Sequence, residues 1–430
     1  MNIGTAQIEI TPPLGLDLAG FAIRKQPSTD VLDPLYTRVL YIEDGLRKLL
    51  WLHCDLLAIE QQMADRIRNW CQQELGIPAA AVMISTTHTH SGPAMLISNG
   101  CGELDTSYVG RVEGQMRSAA IKATGNVERC RLVATQGLCE RGVDRRGFAS
   151  AHTDPRVGAL GWTRDDGTFK AALISYGMHP VCLRSTQISA DWPGVAAHCL
   201  SGSLPGNPLC VVLSGASGNI NPPAVGVGPK EMAIWGKEVA LSVSAKLISA
   251  ARSSMGPGLR LSAATSSRLD LPLDPWGDEE LEECIAQCRA DKGGYREFGE
   301  KFEMAIDAWR LMMLKRFKKH DHPVAPAVLG LARFEHIAFL TVNAEVFSRF
   351  TELATSGGAG EVYTVGCTNG MIGYLATAEA YDEGAYEVAW SMLFYNLPRP
   401  RRGGLEMLAS HAEALLNGKL HNHFQENHSK

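Results

Sequence analysis

The chain has 430 residues, 45% of them hydrophobic and 20% charged, with a formal net charge of -5. That length supports a large core, built as one big domain or two, and the composition is ordinary for a globular protein. The acidic balance removes the electrostatic case for nucleic acid, because duplex binding wants a basic footprint, and no apolar stretch reaches the ~18 residues of a membrane helix.

The opening Met1-Asn2-Ile3-Gly4-Thr5 has neither a charged nor an apolar leader region, so no secretory signal is expected. Val39-Leu40-Tyr41-Ile42 and Leu49-Leu50-Trp51-Leu52 flank Glu43-Asp44-Gly45, which predicts a hairpin. A helix follows, with Met63, Ile67, Trp70, Cys71 and Leu75 on one stripe and Gly76 and Pro78 as its stop. The apolar run Ala81-Val82-Met83-Ile84 reads as a buried strand and leads into Thr87-His88-Thr89-His90-Ser91-Gly92-Pro93. Residues two apart share a face of a strand, so both imidazoles arrive at one place. Histidine is the commonest metal ligand and titrates near neutrality, which points to hydrolytic chemistry. A helix over about 108 to 123 and a strand at Leu132-Val133-Ala134 complete a strand-helix-strand pattern. That pattern predicts an α/β fold, a sandwich of helix and sheet layers.

In the middle third, Ala159-Leu160-Gly161-Trp162 and Ala171-Ala172-Leu173-Ile174 form a second predicted hairpin across Asp165-Asp166-Gly167. His179 follows the second of these strands and is stopped by Pro180. The strand Leu209-Cys210-Val211-Val212-Leu213 enters the small-residue turn Ser214 to Gly218, and a long helix covers about 230 to 251. Residues from about 274 to 324 change character, with Leu281, Ile285 and Cys288, then Phe302, Ile306, Trp309 and Met313 at helical spacing. This predicts a helical hairpin, broken at Gly293-Gly294, inserted between strands near 259–271 and 331–342 of a single domain. A lid and an oligomer contact both fit it, so a homo-oligomer is one expectation. The basic run Lys315-Arg316-Phe317-Lys318-Lys319-His320 reads as a solvated helix end, with a lipid or anionic contact as the alternative.

The buried strand Phe339-Leu340-Thr341-Val342 exits at Glu345, ahead of a helix expected near Val346. A carboxylate there is also what a helix cap would supply. Tyr374 follows Gly373 in a short apolar stretch, and a last helix runs from about 405 to 416. The tail with His421, His423 and His428 is expected to fray, which preorganises no site. No internal repeat and no low-complexity linker is visible. The chain has eleven cysteines and no Cys-x-x-Cys pair, which fits a reducing cytoplasm. Cys54, Cys182 and Cys210 read as core thiols.

Two histidines and one carboxylate are the minimal ligand set of a catalytic zinc site with a fourth position for water. From the residues alone, bland readings stay open. The strand-end histidines would bond backbone, Glu345 would cap a helix, and Tyr374 would pack.

Four separated stretches resemble the neutral (non-lysosomal, alkaline) ceramidase family. They are Gly4 to Gly15 with Ala19-Gly20-Phe21; Thr87 to Pro93; His179-Pro180 with Ser189-Ala190-Asp191; and Ala344-Glu345-Val346-Phe347 with Tyr374 to Tyr386. They span about residues 1 to 395, and no motif falls in about 224 to 330. The resemblance implies Zn2+ held by His88, His179, Glu345 and Tyr374, with His90 near the bound water, either supporting the ligands from behind or acting as a catalytic imidazole. It implies that Arg145 faces the substrate and that Tyr386 contacts the scissile carbonyl. Ser217-Gly218-Asn219-Ile220-Asn221-Pro222 resembles the family's active-site turn, but Asn221 stands where ceramidases carry a serine. Asparagine is no nucleophile, but it donates and accepts hydrogen bonds. The longer family members continue into an immunoglobulin-like domain where this chain ends. The expectation is a zinc hydrolase in which water attacks an amide, lactam, ester or lactone of a small molecule more polar than ceramide. Arg145 and Asn221 would hold that substrate. The rivals are an amidohydrolase barrel, a ligand-binding protein with a decayed site, and a structural zinc site.

Overall fold

The computed structural model describes all residues except 23, 254–257, 275–276, 291–299, 317–321 and 421–430. The Gly293-Gly294 break, most of the basic run and the tail histidines lie outside the described residues.

Three sheets repeat one topology. In the first, the order is Val82–Thr86, Arg47–Cys54, Tyr36–Asp44, Asn2–Glu9, with Val127–Arg129 on the outer edge. Only Arg47–Cys54 and Val82–Thr86 run parallel, joined through the helix Gln61–Leu75. The second sheet orders Leu209–Ser214, Phe169–Tyr176, Arg156–Thr163, Arg131–Leu138, and its parallel pair is joined through the helix Asp191–Ser203. The third orders Glu361–Val365, Ile337–Val342, Val324–Phe334, Leu261–Pro272, with its parallel pair joined through Phe350–Ala354. Each unit is thus an outer antiparallel strand, a hairpin, a helical crossover and one parallel strand.

The strands alternate between two interiors. In the first sheet Leu40, Ile42, Leu49 and Trp51 join a central core. That core also takes Leu160, Trp162 and Leu173 from the second sheet and Phe334, Phe339 and Tyr363 from the third. Trp51 meets Phe339 edge-on at 6.0 Å, and Trp162 meets Phe334 at 6.2 Å. The alternate residues Val39, Tyr41, Leu50 and Leu52 face outward into a core shared with the helices Gln61–Leu75 and Thr106–Thr124. The second sheet is covered by Asp191–Ser203 and Pro229–Ser253, and the third by Phe350–Ala354 and Gly404–Leu416. The α/β expectation therefore takes the form of three helix-covered sheets around a common core. Both strand faces are buried, so the sequence runs apolar without the alternation of a half-exposed strand.

Local chemistry explains the element ends. Gly76 closes its helix at φ 60°, a left-handed position that glycine takes without a Cβ penalty. Asp105 caps Thr106–Thr124 by accepting from the Tyr108 amide at 2.7 Å.

Two predicted elements differ. The strand expected near 331–342 is a hairpin, Val324–Phe334 with Ile337–Val342, turned at Glu335 with φ 55°. No helix begins at Val346. Glu345–Val346 instead pairs in parallel with Tyr374–Leu375, and the helix starts at Phe350. The backbone amides of Glu345 and Phe347 donate to the carbonyls of Gly373 and Leu375, at 2.9 and 3.1 Å, and this pairing holds the segment extended.

The insertion forms two helices, Asp278–Ala290 and Glu300–Arg316, between the outer strand and the hairpin of the third unit. Its apolar stripe packs on Trp390, Met392, Leu393 and Phe394. The Trp309 indole donates to the Leu397 carbonyl at 3.1 Å.

Candidate metal centre

One strand end from each sheet supplies the site. His88 lies just beyond Val82–Thr86, His179 just beyond Phe169–Tyr176, and Glu345 just beyond Ile337–Val342. All three leave the carboxyl ends of strands in the parallel pairs, where α/β folds gather ligands. His88 holds a left-handed backbone at φ 65°, unusual for a residue with a side chain. Its amide donates to the Leu56 carbonyl at 2.9 Å, which fixes that bend.

The imidazoles are oriented from behind. His88 Nδ1 lies 2.9 Å from the Leu57 carbonyl oxygen, and His179 Nδ1 lies 3.1 Å from that of Ile220. A carbonyl only accepts, so each Nδ1 carries a proton, and each Nε2 is the nitrogen turned toward Glu345. Both Nε2 atoms face the same carboxylate oxygen. Glu345 Oε2 is 3.2 Å from His88 Nε2 and 2.9 Å from His179 Nε2. The other Glu345 oxygen accepts from the Tyr395 hydroxyl. All three side chains are buried, with at most 2% exposure. Burial alone would raise the Glu345 carboxyl. The two imidazoles reverse that and hold it well below the usual carboxylate range.

A carboxylate buried this deeply against two imidazoles needs positive charge beside it, from a proton on an imidazole or from a bound cation. Donors ~2.0–2.2 Å from one zinc ion would stand about 3.3 Å apart, close to the spacing seen, so the residues present fit a divalent metal.

His90 completes a three-histidine group whose ligand atoms all lie within 4.8 Å of one another. Its ring is 5.2 Å from that of His88 and 5.9 Å from that of His179. Unlike them it has no anchoring carbonyl, and neither ring nitrogen has a partner. Burial, then the charge of neighbouring imidazoles, pushes its pKa well down and keeps it neutral. Its position is set sterically by Gly20, where a Cβ would fall 2.5 Å from the ring at φ 94°.

Arg145 follows the short strand Val143–Asp144, which pairs with Ile220–Asn221. Its guanidinium donates to Glu387 Oε1 and the Gly218 carbonyl, both at 2.8 Å, and to Asn221 Oδ1 at 3.3 Å. Its carbon sits 5.4 and 5.5 Å from the ring centres of Tyr374 and Tyr386. The Tyr374 ring stands 5.7 Å from Tyr386 and 5.9 Å from Tyr395. Burial first, then the Glu345 charge, raises the Tyr374 hydroxyl well above its ordinary pKa, and burial also raises that of Tyr386.

His88, His90, Arg145, His179, Asn221, Tyr374 and Tyr386 line one cavity of about 810 Å³. Glu345 stands behind the two histidines that it touches. Every site residue read from the sequence therefore falls in one place.

No family model matches this sequence. Among solved structures, the neutral ceramidase from Pseudomonas aeruginosa aligns with a TM-score of 0.70 at 17% identity, covering 97% of this chain and 74% of that one. A ceramidase complexed with C2 gives 0.73 at 15% identity, covering 97% and 75%. The fold is that of the neutral ceramidases. The ceramidase fold thus brings motifs from residue 88 to residue 386 to one cavity.

Sequence reasoning missed Tyr395, which holds Glu345, and Glu387, which holds Arg145. Glu387 adjoins Tyr386 and could have been flagged as the neighbour of a candidate. Nothing around Tyr395 marks it, since its role arises only when the turn of Met392–Tyr395 folds back on the site.

Proposed function

We propose that this chain is a metal-dependent hydrolase that cleaves an amide bond in a small molecule, with zinc as the ion. The observation that carries the reading is the buried convergence of His88 Nε2, His179 Nε2 and Glu345 Oε2 beside a large cavity. The ceramidase fold supports the reaction class. His88, His179 and Glu345 are the ligands. Tyr374, whose main chain pairs with that of Glu345, is the fourth candidate donor. When bound, zinc acts as a Lewis acid and makes water acidic near pH ~7.

The remaining groups act on the substrate. His90, neutral and with two unpartnered nitrogens, takes a proton from the attacking water and returns it to the leaving nitrogen. The Tyr386 hydroxyl donates to the carbonyl oxygen as charge develops there. Arg145 occupies Asn221 Oδ1 and so leaves Asn221 Nδ2 as a donor for a polar substrate group. Ester or lactone cleavage would use the same groups. All eleven cysteines are free, which favours a reducing, cytoplasmic setting. No described helix is long and apolar enough to cross a membrane.

The test is metal analysis coupled to a hydrolysis screen of N-acyl amides, esters and lactones. One zinc per chain and amide turnover are expected, both lost in His179→Ala. Full turnover after complete metal removal would overturn the reading.

A further inference from the structure

One buried arginine reaches the loop that carries His90. Arg24 is 8% exposed, and every nitrogen of its guanidinium donates to a backbone carbonyl. Nη1 donates to Leu18 and Ala19, both at 3.1 Å. Nη2 donates to His90 at 2.8 Å, and Nε donates to Ser185 at 3.1 Å. Three loops therefore meet on one planar group.

Two of these acceptors flank the place where His90 is confined. Leu18 and Ala19 immediately precede Gly20, the residue whose missing Cβ leaves room for the His90 ring. The same guanidinium thus holds the chain on both sides of that contact, the Gly20 side through Nη1 and the His90 side through Nη2. The Ala19 amide donates to the Gly92 carbonyl at 2.8 Å, which ties the two loops together again just past His90. Beyond Gly20 the chain turns back, with the Arg24 amide donating to the Phe21 carbonyl at 3.1 Å. The guanidinium carbon lies 5.3 Å from the Phe21 ring centre, and that ring meets the His90 ring edge-on at 5.0 Å. His90 is also the member of the three-histidine group whose ring nitrogens have no partner, and its own amide reaches the Pro180 carbonyl only at 3.4 Å. Its place is therefore set through its carbonyl and by steric contact, and Arg24 serves both.

We propose that Arg24 is a positioning residue for His90, its fork setting the distance between the Gly20 backbone and the imidazole and so the aim of that ring into the cavity. This rests on the amide-hydrolase reading above, in which His90 moves the proton. A guanidinium is a rigid planar fork, whereas an ammonium is a point donor on a flexible stem, so lysine at position 24 keeps the charge and loses the geometry. A reacting group misplaced by about 1 Å costs on the order of 100-fold in rate. The proposed ligands are anchored elsewhere, His88 on the Leu57 carbonyl, His179 on that of Ile220 and Glu345 on the Tyr395 hydroxyl, so a change at Arg24 spares the metal.

The test crosses Arg24→Lys with His90→Ala on the metal-loaded protein. Arg24→Lys alone should lower the kcat for amide cleavage by about 10- to 100-fold, with zinc content kept and KM changed by less than about twofold. In the His90→Ala background the same substitution should cost less than about twofold, because the group it positions is gone. Crystal structures of the wild type and of Arg24→Lys should show the His90 ring displaced while the rings of His88 and His179 keep their places. An equal loss in both backgrounds, a loss of zinc, or an unmoved His90 ring overturns the proposal. Failure of both Arg24→Lys and Arg24→Gln to fold overturns it too, by making Arg24 a residue of the fold alone. If the wild type cuts no amide, the hydrolase reading falls, and the position of the His90 ring in Arg24→Lys still decides what Arg24 holds.

Discussion

At the residue scale the site depends on groups that never touch a substrate. Gly20 holds its place against His90 by lacking a Cβ. Gly20→Ala should displace the ring and cut kcat/KM by about tenfold or more, while the metal content stays near wild type, because His90 is not among the proposed ligands. A drop in bound metal would instead make His90 a ligand. Tyr395 is the outer partner of Glu345. Tyr395→Phe removes that donor and should weaken metal affinity by about 10- to 100-fold, read by competition with a chelator. His88 and His179 were legible because each follows an apolar run and precedes a proline within a few residues. Tyr395 was not, since its contact with Glu345 spans fifty residues of chain.

Elements hold the strand ends in register. Asp191 opens the crossover helix Asp191–Ser203 and accepts from the amides of Cys182, Leu183 and Trp192. The Trp192 indole donates to the His179 carbonyl at 3.3 Å, so this helix start also braces a proposed ligand. Burial pushes the Asp191 carboxyl up to about 6 from 3.8, against its backbone donors. A carboxyl with a raised folded pKa adds stability below the unfolded value, and that contribution is lost as pH rises through the folded one. The wild type should therefore lose on the order of 3 kcal/mol from this group between about pH 4 and 6. Asp191→Asn should flatten that part of the pH profile, measured by denaturant midpoints. An identical slope in both proteins would contradict the buried, protonatable carboxyl. Individual hairpins and helices were readable from turns and apolar stripes. The threefold repetition of the unit was not, because strands buried on both sides, such as Leu49-Leu50-Trp51-Leu52, carry no face signal and the units share no sequence period.

For the whole molecule, three sheets around one core explain why the candidate ligands lie so far apart in sequence. Each sheet contributes one strand end, so the site forms only when all three have docked. The inserted helices act on the same cavity from outside, packing behind the lining residues Trp390 and Phe394. Trp309 is fully buried in that contact. Trp309→Ala should cost about 3–5 kcal/mol of stability and raise KM more than it lowers kcat. Unchanged kinetics would confine the insertion to a role away from the cavity. Its apolar spacing was visible in the sequence, but what that stripe covers depends on residues 390 to 394, which no local pattern connects to it.

Diffraction at the zinc absorption edge tests the central claim most directly. The account predicts a single strong anomalous peak within bonding distance, ~2.0–2.2 Å, of His88 Nε2, His179 Nε2 and a Glu345 oxygen. An active protein with no peak there, or with its peak away from these three side chains, would contradict it.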